Sequence, residues 1–293
     1  MAEGFLEFFS ANKEVLEMID LLAADFTRML KSIPFIGCVL FCIDFPIVLM
    51  FRMKGSSEVY TFDSAINILF LLMGLIMAVF VSLFVGMEYD DHTMRNKVLV
   101  GHSRIKIYLS DYIVCLTGGF ILQAVFTLVV FIGTIIAPLL GIFVSMSVPI
   151  DQLIECQLIG LYITSAYVGI FVFFCLIIPN QAYSTVVCVA LAALIFALGY
   201  TVSYSVAPST EIYYEMKFVP QSIINSMRGM GIEDERKRAL YKFIDDVLPA
   251  CHAYNIKSGY ITGRPLVNVL SDTIISLGFT VFGLLFFRKK DFV

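Results

Sequence analysis

Six apolar stretches dominate this sequence and constrain its fold more than any other feature. A transmembrane helix needs about 20 mostly apolar residues, and each stretch is close to that length or longer. The chain has 293 residues, of which 59% are hydrophobic and 15% charged, against roughly 45–50% and about 25% in a soluble domain. We therefore predict an all-α membrane protein with six spans, at residues 34–51, 65–87, 112–137, 153–178, 183–206 and 266–287.

The basic residues predict how the chain is oriented in the membrane. An even number of spans places both termini on one side, and short cytoplasmic loops are enriched in Lys and Arg. Outside the long loop, basic residues cluster before the first span, between spans two and three, and after the last span: Arg28, Lys31, Arg95, Lys97, Arg104, Lys106, Arg288, Lys289 and Lys290. We expect both termini in the cytoplasm and the long segment 207–264 outside the cell.

Two helices outside the spans are predicted from their apolar periodicity. In residues 1–33, apolar side chains recur every three or four positions at Val15, Ile19, Leu22, Phe26 and Leu30. This pattern is typical of an amphipathic helix on the membrane surface. In the external segment, "EDERKRALYKFIDDVL" predicts a second amphipathic helix, whose apolar face is formed by Leu240, Phe243, Ile244 and Val247.

The loop between spans two and three, residues 88–111, is unusually polar. It contains "EYDDHTMRNKVLVGHSRIKIYLSD", in which Asp91 and Thr93 are expected to cap a short helix. Gly101 is expected at the C′ position that ends this helix. One interpretation is a plain positive-inside topology anchor. The acidic cluster after span two and the basic residues along the helix favour the alternative, a docking surface for a soluble partner.

This loop resembles the cytoplasmic loop of bacterial ABC-2-type transporter permeases, whose usual pattern is close to E-Y-x-x-G-T-x-R-N-K-x-x-x-G-x-S-R-x-x-I-Y-x-S. The chain departs from the pattern at His92, where the family commonly has Gly. "LLAADFTRMLKS", "RALYKFIDDVLP" and "FRKKDF" also agree with the family. The resemblance therefore spans nearly the whole chain, most specifically Glu88 to Tyr112, and it implies a single transmembrane domain over residues 1–293. In the family, this loop is a coupling helix that sits in a cleft of a separate ATPase subunit.

The resemblance implies an ATPase interface and a set of partners. The interface would be formed by Glu88, Asp91, Thr93, Met94, Arg95, Asn96, Lys97, Gly101, His102, Ser103 and Arg104. The partners would be two ATPase subunits and a second permease copy or a paralogue, in a bacterial cell membrane. The implied function is an ABC exporter that moves an amphipathic peptide or a hydrophobic compound, as in multidrug transport, by alternating access.

Other kinds of site have little support in the sequence. No G-x-x-x-x-G-K-[ST] phosphate-binding motif is present, so ATP hydrolysis is expected in a separate subunit and no cofactor in this chain. Six of the seven cysteines lie in apolar runs without metal-ligand spacing. His252 beside Cys251 is expected to be a packed residue and not part of a catalytic pair. A net charge of −4 does not suggest nucleic acid as a partner.

Polar residues within the spans suggest where cargo could pass. Asp44 lies near the middle of the first span, and a carboxylate there should face the bundle interior or a cavity; a structural and a transport role are both open. Gln123 is expected to form an interhelical hydrogen bond and is a further candidate for the translocation path. Ala190, Ala193 and Ala197 share one face of span five, which favours close helix packing within the subunit or between copies.

The alternative to a transporter is a polytopic membrane scaffold or an intramembrane enzyme. An intramembrane protease needs paired carboxylates, a Ser–His pair or a zinc motif at membrane depth. In the sequence, Asp44 is the only ionisable residue expected deep in a span, which argues against that class. No catalytic or metal-binding residues are therefore predicted.

Overall fold

The computed structural model describes residues 2–52, 60–145, 149–206, 234–257 and 265–289, and within them it is almost entirely helical. Six of its helices are long and apolar enough to cross a membrane, which confirms an all-α membrane protein with six spans. In chain order the helices are α1 (Ala2–Lys31), α2 (Ile33–Arg52), α3 (Phe62–Asp90), α4 (Thr93–Leu99), α5 (Arg104–Ile136), α6 (Ile150–Ile177), α7 (Gln181–Val206), α8 (Glu235–Val247), α9 (Pro249–Lys257) and α10 (Pro265–Lys289).

The six spans are α2, α3, α5, α6, α7 and α10. Helices are favoured here because hydrocarbon offers no partner for an open backbone N–H or C=O group. The central spans are α3 and α6, which bury most of their surface inside the bundle. The span α10 packs along α6, and α7 packs along α3. Gly169 of α6 permits the first of these contacts, since a Cβ there would lie 3.0 Å from the Ser276 Cα.

Contacts between sequence-distant residues define the two ends of the bundle. At the end that carries α4, the Tyr89 hydroxyl at the end of α3 donates to the Leu176 carbonyl at the end of α6. At the opposite end, the strands β1 (Tyr60–Thr61) and β2 (Val144–Ser145) pair in parallel. That end also holds α8 and α9, where the Asn67 side chain donates to the Ile256 carbonyl.

The surface helix α1 is a single helix, but its inward face is not the predicted apolar stripe. Leu21, Asp25 and Met29 are buried, whereas Ile19 and Leu30 are exposed. Only part of the apolar stripe is free to face lipid, because Leu22 and Phe26 pack against the bundle core; the side that contacts α5 carries a carboxylate. The span α2 follows α1 after Ser32, whose hydroxyl accepts from the Phe35 N–H and caps the new helix.

The second predicted amphipathic helix also differs from the sequence prediction. Residues 207–233 and 258–264 lie outside the described residues, and α8 and α9 are the described parts of the segment. In α8, Ile244 is half-buried against the bundle, but Leu240 and Phe243 are exposed. The buried position of Asp245 explains the difference, because Asp245 accepts hydrogen bonds from Ser203 and Asn255 and turns that side of α8 inward.

Candidate functional site: the α4 charge cluster

The loop between α3 and α5 forms the predicted short helix, α4, but its N-terminus differs from the prediction. Asp91 ends α3, and its backbone N–H donates to the Met87 carbonyl. The N-cap of α4 is His92, without a side-chain cap, and the Thr93 hydroxyl donates back to the Glu88 carbonyl. His92 has φ +55°, in the left-handed region that favours glycine. The expected Asp91 and Thr93 cap is therefore wrong, because a left-handed residue makes the turn.

The C-terminus of α4 agrees with the prediction. Gly101 has φ +103°, a conformation that a side chain would strain. Its N–H donates to the Val98 carbonyl, and the His102 N–H donates to the Lys97 carbonyl. These two bonds form a Schellman motif. The glycine thus ends the helix and turns the chain into α5, whose first turn is capped by the Ser103 hydroxyl.

The inner face of α4 joins a cluster of five charged side chains, which we call the charge cluster: Asp25, Arg28, Glu88, Lys97 and Asp111. The Lys97 Nζ lies 2.8 Å from a carboxylate oxygen of Asp25, 2.8 Å from Glu88 and 3.4 Å from Asp111. Arg28 forms an ion pair with Glu88 and lies over the Phe84 ring. The cluster therefore ties α4 to α1, α3 and α5 at once.

Burial makes the charge cluster energetically important. The Glu88 and Asp111 side chains are fully buried, and Asp25 is 3% exposed. Burial by itself lowers the pKa of Lys97, but the three carboxylates outweigh that effect and raise the pKa above its usual value. The pKa of Arg28 is raised for the same reasons. Lys97 and Arg28 therefore stay charged over the physiological pH range, and they face the carboxyl groups of three acidic residues.

The three carboxylates are also the described residues whose spacing best suits a metal ion. One oxygen from each of Asp25, Glu88 and Asp111 lies within 4.8 Å of the others. The Lys97 ammonium group, however, contacts all three carboxylates and supplies the positive charge that a metal ion would bring. The arrangement fits a structural ion network that connects helices.

The predicted ATPase-interface residues divide into two groups. Glu88, Met94 and Lys97 face the bundle, since Glu88 and Met94 are at most 1% exposed and Lys97 belongs to the charge cluster. Their predicted contact with a separate subunit does not agree with this burial. The other eight are exposed or half-buried: Asp91, Thr93, Arg95, Asn96, Gly101, His102, Ser103 and Arg104.

Two apolar residues on the same surface were not predicted. Leu99 is 73% exposed and Val100 is 78% exposed, at the tip of α4. Adjacent exposed apolar side chains form a small contiguous patch, and such patches can mark an interaction surface. The signal in the sequence was the pair "LV" directly before Gly101, on the side of α4 away from Met94. We call the surface formed by Arg95, Asn96, Leu99 and Val100 the α4 tip.

Comparison with known protein families identifies the class of transporter. Residues 24–206, more than half of the chain, match the model of the ABC-2 family transporter protein. The chain belongs to the ABC-2 transporter family. It is a membrane permease of an ABC transporter, and membership implies an ABC ATPase subunit as partner. The matched range contains α4 and every residue of the charge cluster. A comparison with curated proteins gave no match.

One ion pair and one hydrogen bond attach the start of α5, directly after α4, to other helices of the permease. Lys106, at the start of α5, lies 3.0 Å from the Glu17 carboxylate of α1. The Arg104 guanidinium donates to the Arg288 carbonyl at the end of α10. The first turn of α5 is therefore attached to α1 and to α10.

The two predicted translocation-path residues lie in different environments. Gln123 of α5 is buried, and its Nε2 donates to the Gln157 backbone carbonyl of α6 at 2.9 Å, which is the interhelical bond expected. Asp44 lies on the exposed face of α2, and not inside the bundle as its charge suggested. A carboxylate facing lipid in mid-membrane is unfavourable, so this face of the permease requires a polar or protein neighbour.

A second buried ionic pair lies at the opposite end of the permease. The His252 Nδ1 of α9 is 3.1 Å from both carboxylate oxygens of Asp272 in α10, and both side chains are fully buried. Burial alone lowers the pKa of His252, but the Asp272 charge and its hydrogen bond raise the pKa overall. Asp272 is thus an ionisable residue within a span besides Asp44, near the end of α10 that α9 covers. The pair joins α9 to α10 across the segment of residues 258–264.

Proposed function

We propose that this chain is the permease subunit of an ABC exporter and that α4 couples ATP hydrolysis in a partner subunit to transport. The observation that carries the proposal is the two-sided character of α4. Its outer side is the exposed α4 tip, and its inner side is held by ion pairs to α1, α3 and α5. A force applied to the tip is therefore passed to three helices and not absorbed by a free loop.

The α4 tip has the composition of a docking site for a soluble subunit. Leu99 and Val100 each offer about 1.5–3 kcal/mol on full burial, and Arg95 offers a charge that can pair with a carboxylate of the partner. The turn at Gly101 holds the tip at a fixed angle. Two such permease copies, each contacting one ATPase subunit, form the transporter that we propose.

The proposed transport cycle is alternating access between two permease subunits in a bacterial cell membrane. Support for a second copy or a paralogue comes from exposed surfaces on the spans. Ala190, Ala193 and Ala197 are exposed on α7, and small residues permit close helix packing. Asp44 on the exposed face of α2 requires a polar environment, which a path shared between two copies provides. Export of an amphipathic peptide or a hydrophobic compound is the proposed direction and cargo.

Co-purification of the ATPase tests the docking proposal. The double variant Leu99→Ser/Val100→Ser should fold and insert normally but lose most of the bound ATPase, because both residues are already exposed in the permease. A matched control is Leu240→Ser/Phe243→Ser, two exposed apolar residues of α8 at the opposite end, which should retain the ATPase. Equal ATPase recovery from both double variants would contradict docking at the α4 tip.

The proposed orientation has an independent test. Both termini are expected on the cytoplasmic side, together with α4, since an ATPase subunit can reach the tip only from there. An alkaline phosphatase reporter fused after Val293 should be inactive, and a fluorescent protein at the same position should fluoresce. Active phosphatase at that position would reverse the orientation and remove α4 from the ATPase.

A further inference from the structure

An apolar groove opens between three spans in the half of the bundle away from α4. It has a volume of about 660 Å³ and is lined by α3, α5 and α6. Phe62, Leu128, Phe131, Ile154 and Leu158 form its walls. Sites for drug-sized ligands have volumes of about 300–1,000 Å³ and mostly apolar walls, so the groove has the dimensions of such a site. No charged side chain lines it among the described residues.

The floor of the groove carries a small polar network. The Gln123 Nε2 donates to the backbone carbonyl and the side-chain oxygen of Gln157, at 2.9 and 3.2 Å. The Thr127 hydroxyl donates to the same side-chain oxygen at 3.2 Å. The Gln157 Nε2, in contrast, is buried and has no hydrogen-bond acceptor among the described residues. A buried donor without an acceptor costs about 1–3 kcal/mol. Gln157 lines the groove, so a ligand acceptor would recover that cost once the amide turns toward it.

We infer that this groove binds the exported molecule, and that the molecule is a neutral, drug-sized apolar compound with a hydrogen-bond acceptor that contacts the Gln157 amide. The inference rests on the proposed export function and narrows its cargo. A charged ligand is disfavoured, because the lining offers it no counter-charge in a medium that does not solvate charge. A peptide is disfavoured as well, since each residue brings a backbone donor and an acceptor and the floor has a single open donor.

The position of the groove also fits a cargo that enters from the bilayer. Its walls belong to membrane spans, and Leu128 and Leu158 are 59% and 54% exposed. An apolar compound dissolved in lipid can therefore reach the groove without crossing water. Gln123, one of the two residues predicted for the translocation path, lines this groove, whereas Asp44 belongs to α2, which contributes none of the described lining residues.

Photolabelling with benzophenone tests the site directly. Benzophenone is neutral and apolar, carries one carbonyl acceptor, and reacts with nearby C–H bonds under ultraviolet light. With the full chain in lipid nanodiscs, peptide mass spectrometry should find adducts concentrated in the groove segments of α5 and α6. Gln157→Leu should lower this labelling about fivefold, the effect of one lost hydrogen bond. Leu128→Trp should abolish it by filling the groove.

The matched control is Leu194→Trp on α7, since Leu194 is 58% exposed and Leu128 is 59% exposed. Leu194→Trp should leave groove labelling unchanged. Adducts spread evenly over lipid-exposed residues of all spans, with equal yields in the two Trp variants, would overturn the inference. A phospholipid that co-purifies one to one with the wild-type chain and is lost from Leu128→Trp would also overturn it, by showing that lipid fills the groove.

Transport distinguishes the cargo site from the export function. ATP-dependent uptake of tritiated benzophenone into inside-out vesicles that contain permease and ATPase should be lost in Leu128→Trp and retained in Leu194→Trp. Uptake that persists in Leu128→Trp would reject the groove as the cargo site, but it would still agree with the proposed export function. Groove labelling in a complex that binds its ATPase but never transports would reject the export function itself.

Discussion

Replacing Lys97 by Met should release α4 from the bundle. The change keeps the length of the side chain but removes the ammonium group that contacts three buried carboxylates at 2.8, 2.8 and 3.4 Å. Removal of one partner from a buried ion pair costs about 3–5 kcal/mol. Arg28 remains beside Glu88, so we expect the lower end of this range. At 1.36 kcal/mol per tenfold change, the docked state of α4 should lose at least about 10²-fold in population.

Hydrogen exchange measured by mass spectrometry on residues 93–103 reports this release. The exchange rate of Lys97→Met should rise about 10²-fold, and binding of the ATPase should fall with it. Arg95→Met is the matched control, because Arg95 lies on the same helix but is exposed. That variant should weaken ATPase binding while the exchange of α4 stays at the wild-type rate.

A second substitution separates the charge from the lost contact surface. Asp111→Asn in the Lys97→Met background removes one of the three carboxyl groups that Lys97 contacts while keeping its shape. It should restore part of the protection of α4, whereas Asp111→Asn alone should have a smaller effect. If Lys97→Met and Arg95→Met exchange at the same rate and the second substitution restores nothing, the charge cluster does not hold α4.

Three further changes test other parts of the structure. Because the pKa of His252 is raised, its ionic pair with Asp272 stabilises the fold fully below about pH 6.5, and this stabilisation is lost as the pH rises through the higher folded pKa. The melting temperature of the wild type should therefore fall over that pH range. An equal fall in a His252→Gln variant would refute the assignment. Asp44→Cys should react with a charged methanethiosulfonate reagent faster than Ile274→Cys, an exposed position within the span α10, and equal rates would place Asp44 in lipid. His92→Gly should stabilise the chain by about 0.5–1 kcal/mol, since its φ of +55° favours glycine; an unchanged or lower melting temperature would show that the turn is not strained.

The membrane fold could be predicted from the sequence because hydrocarbon imposes a simple length rule. Each predicted span lies within an observed helix to within a few residues, as in 65–87 against Phe62–Asp90. The end of α4 could also be predicted, because Gly101 is the residue type that a left-handed C′ position favours. Its beginning could not, since His92 adopts the same region without the glycine that usually marks such a position.

Which face of each helix is buried in the bundle could not be predicted from the sequence, and the physical reason is the solvent. In water, an apolar stripe marks the buried side of a helix, but in a bilayer the lipid-facing side is apolar as well, so hydropathy alone does not separate the two. Leu128 lines the groove and Leu194 lies on the outer surface of α7, although both are leucines within an apolar run.

The sequence by itself determined the number of spans, the position of the charged loop and the family. The tertiary structure alone decided which charges meet. Lys97 pairs with Asp25, which lies 72 residues away in the sequence. His252 of α9 pairs with Asp272 of α10. Neither pairing has a local pattern, because a buried charge is stabilised by whichever opposite charge the packing of helices brings within about 3 Å. That packing depends on the contacts of the whole chain, and so the charge cluster and the groove exist only in the folded protein.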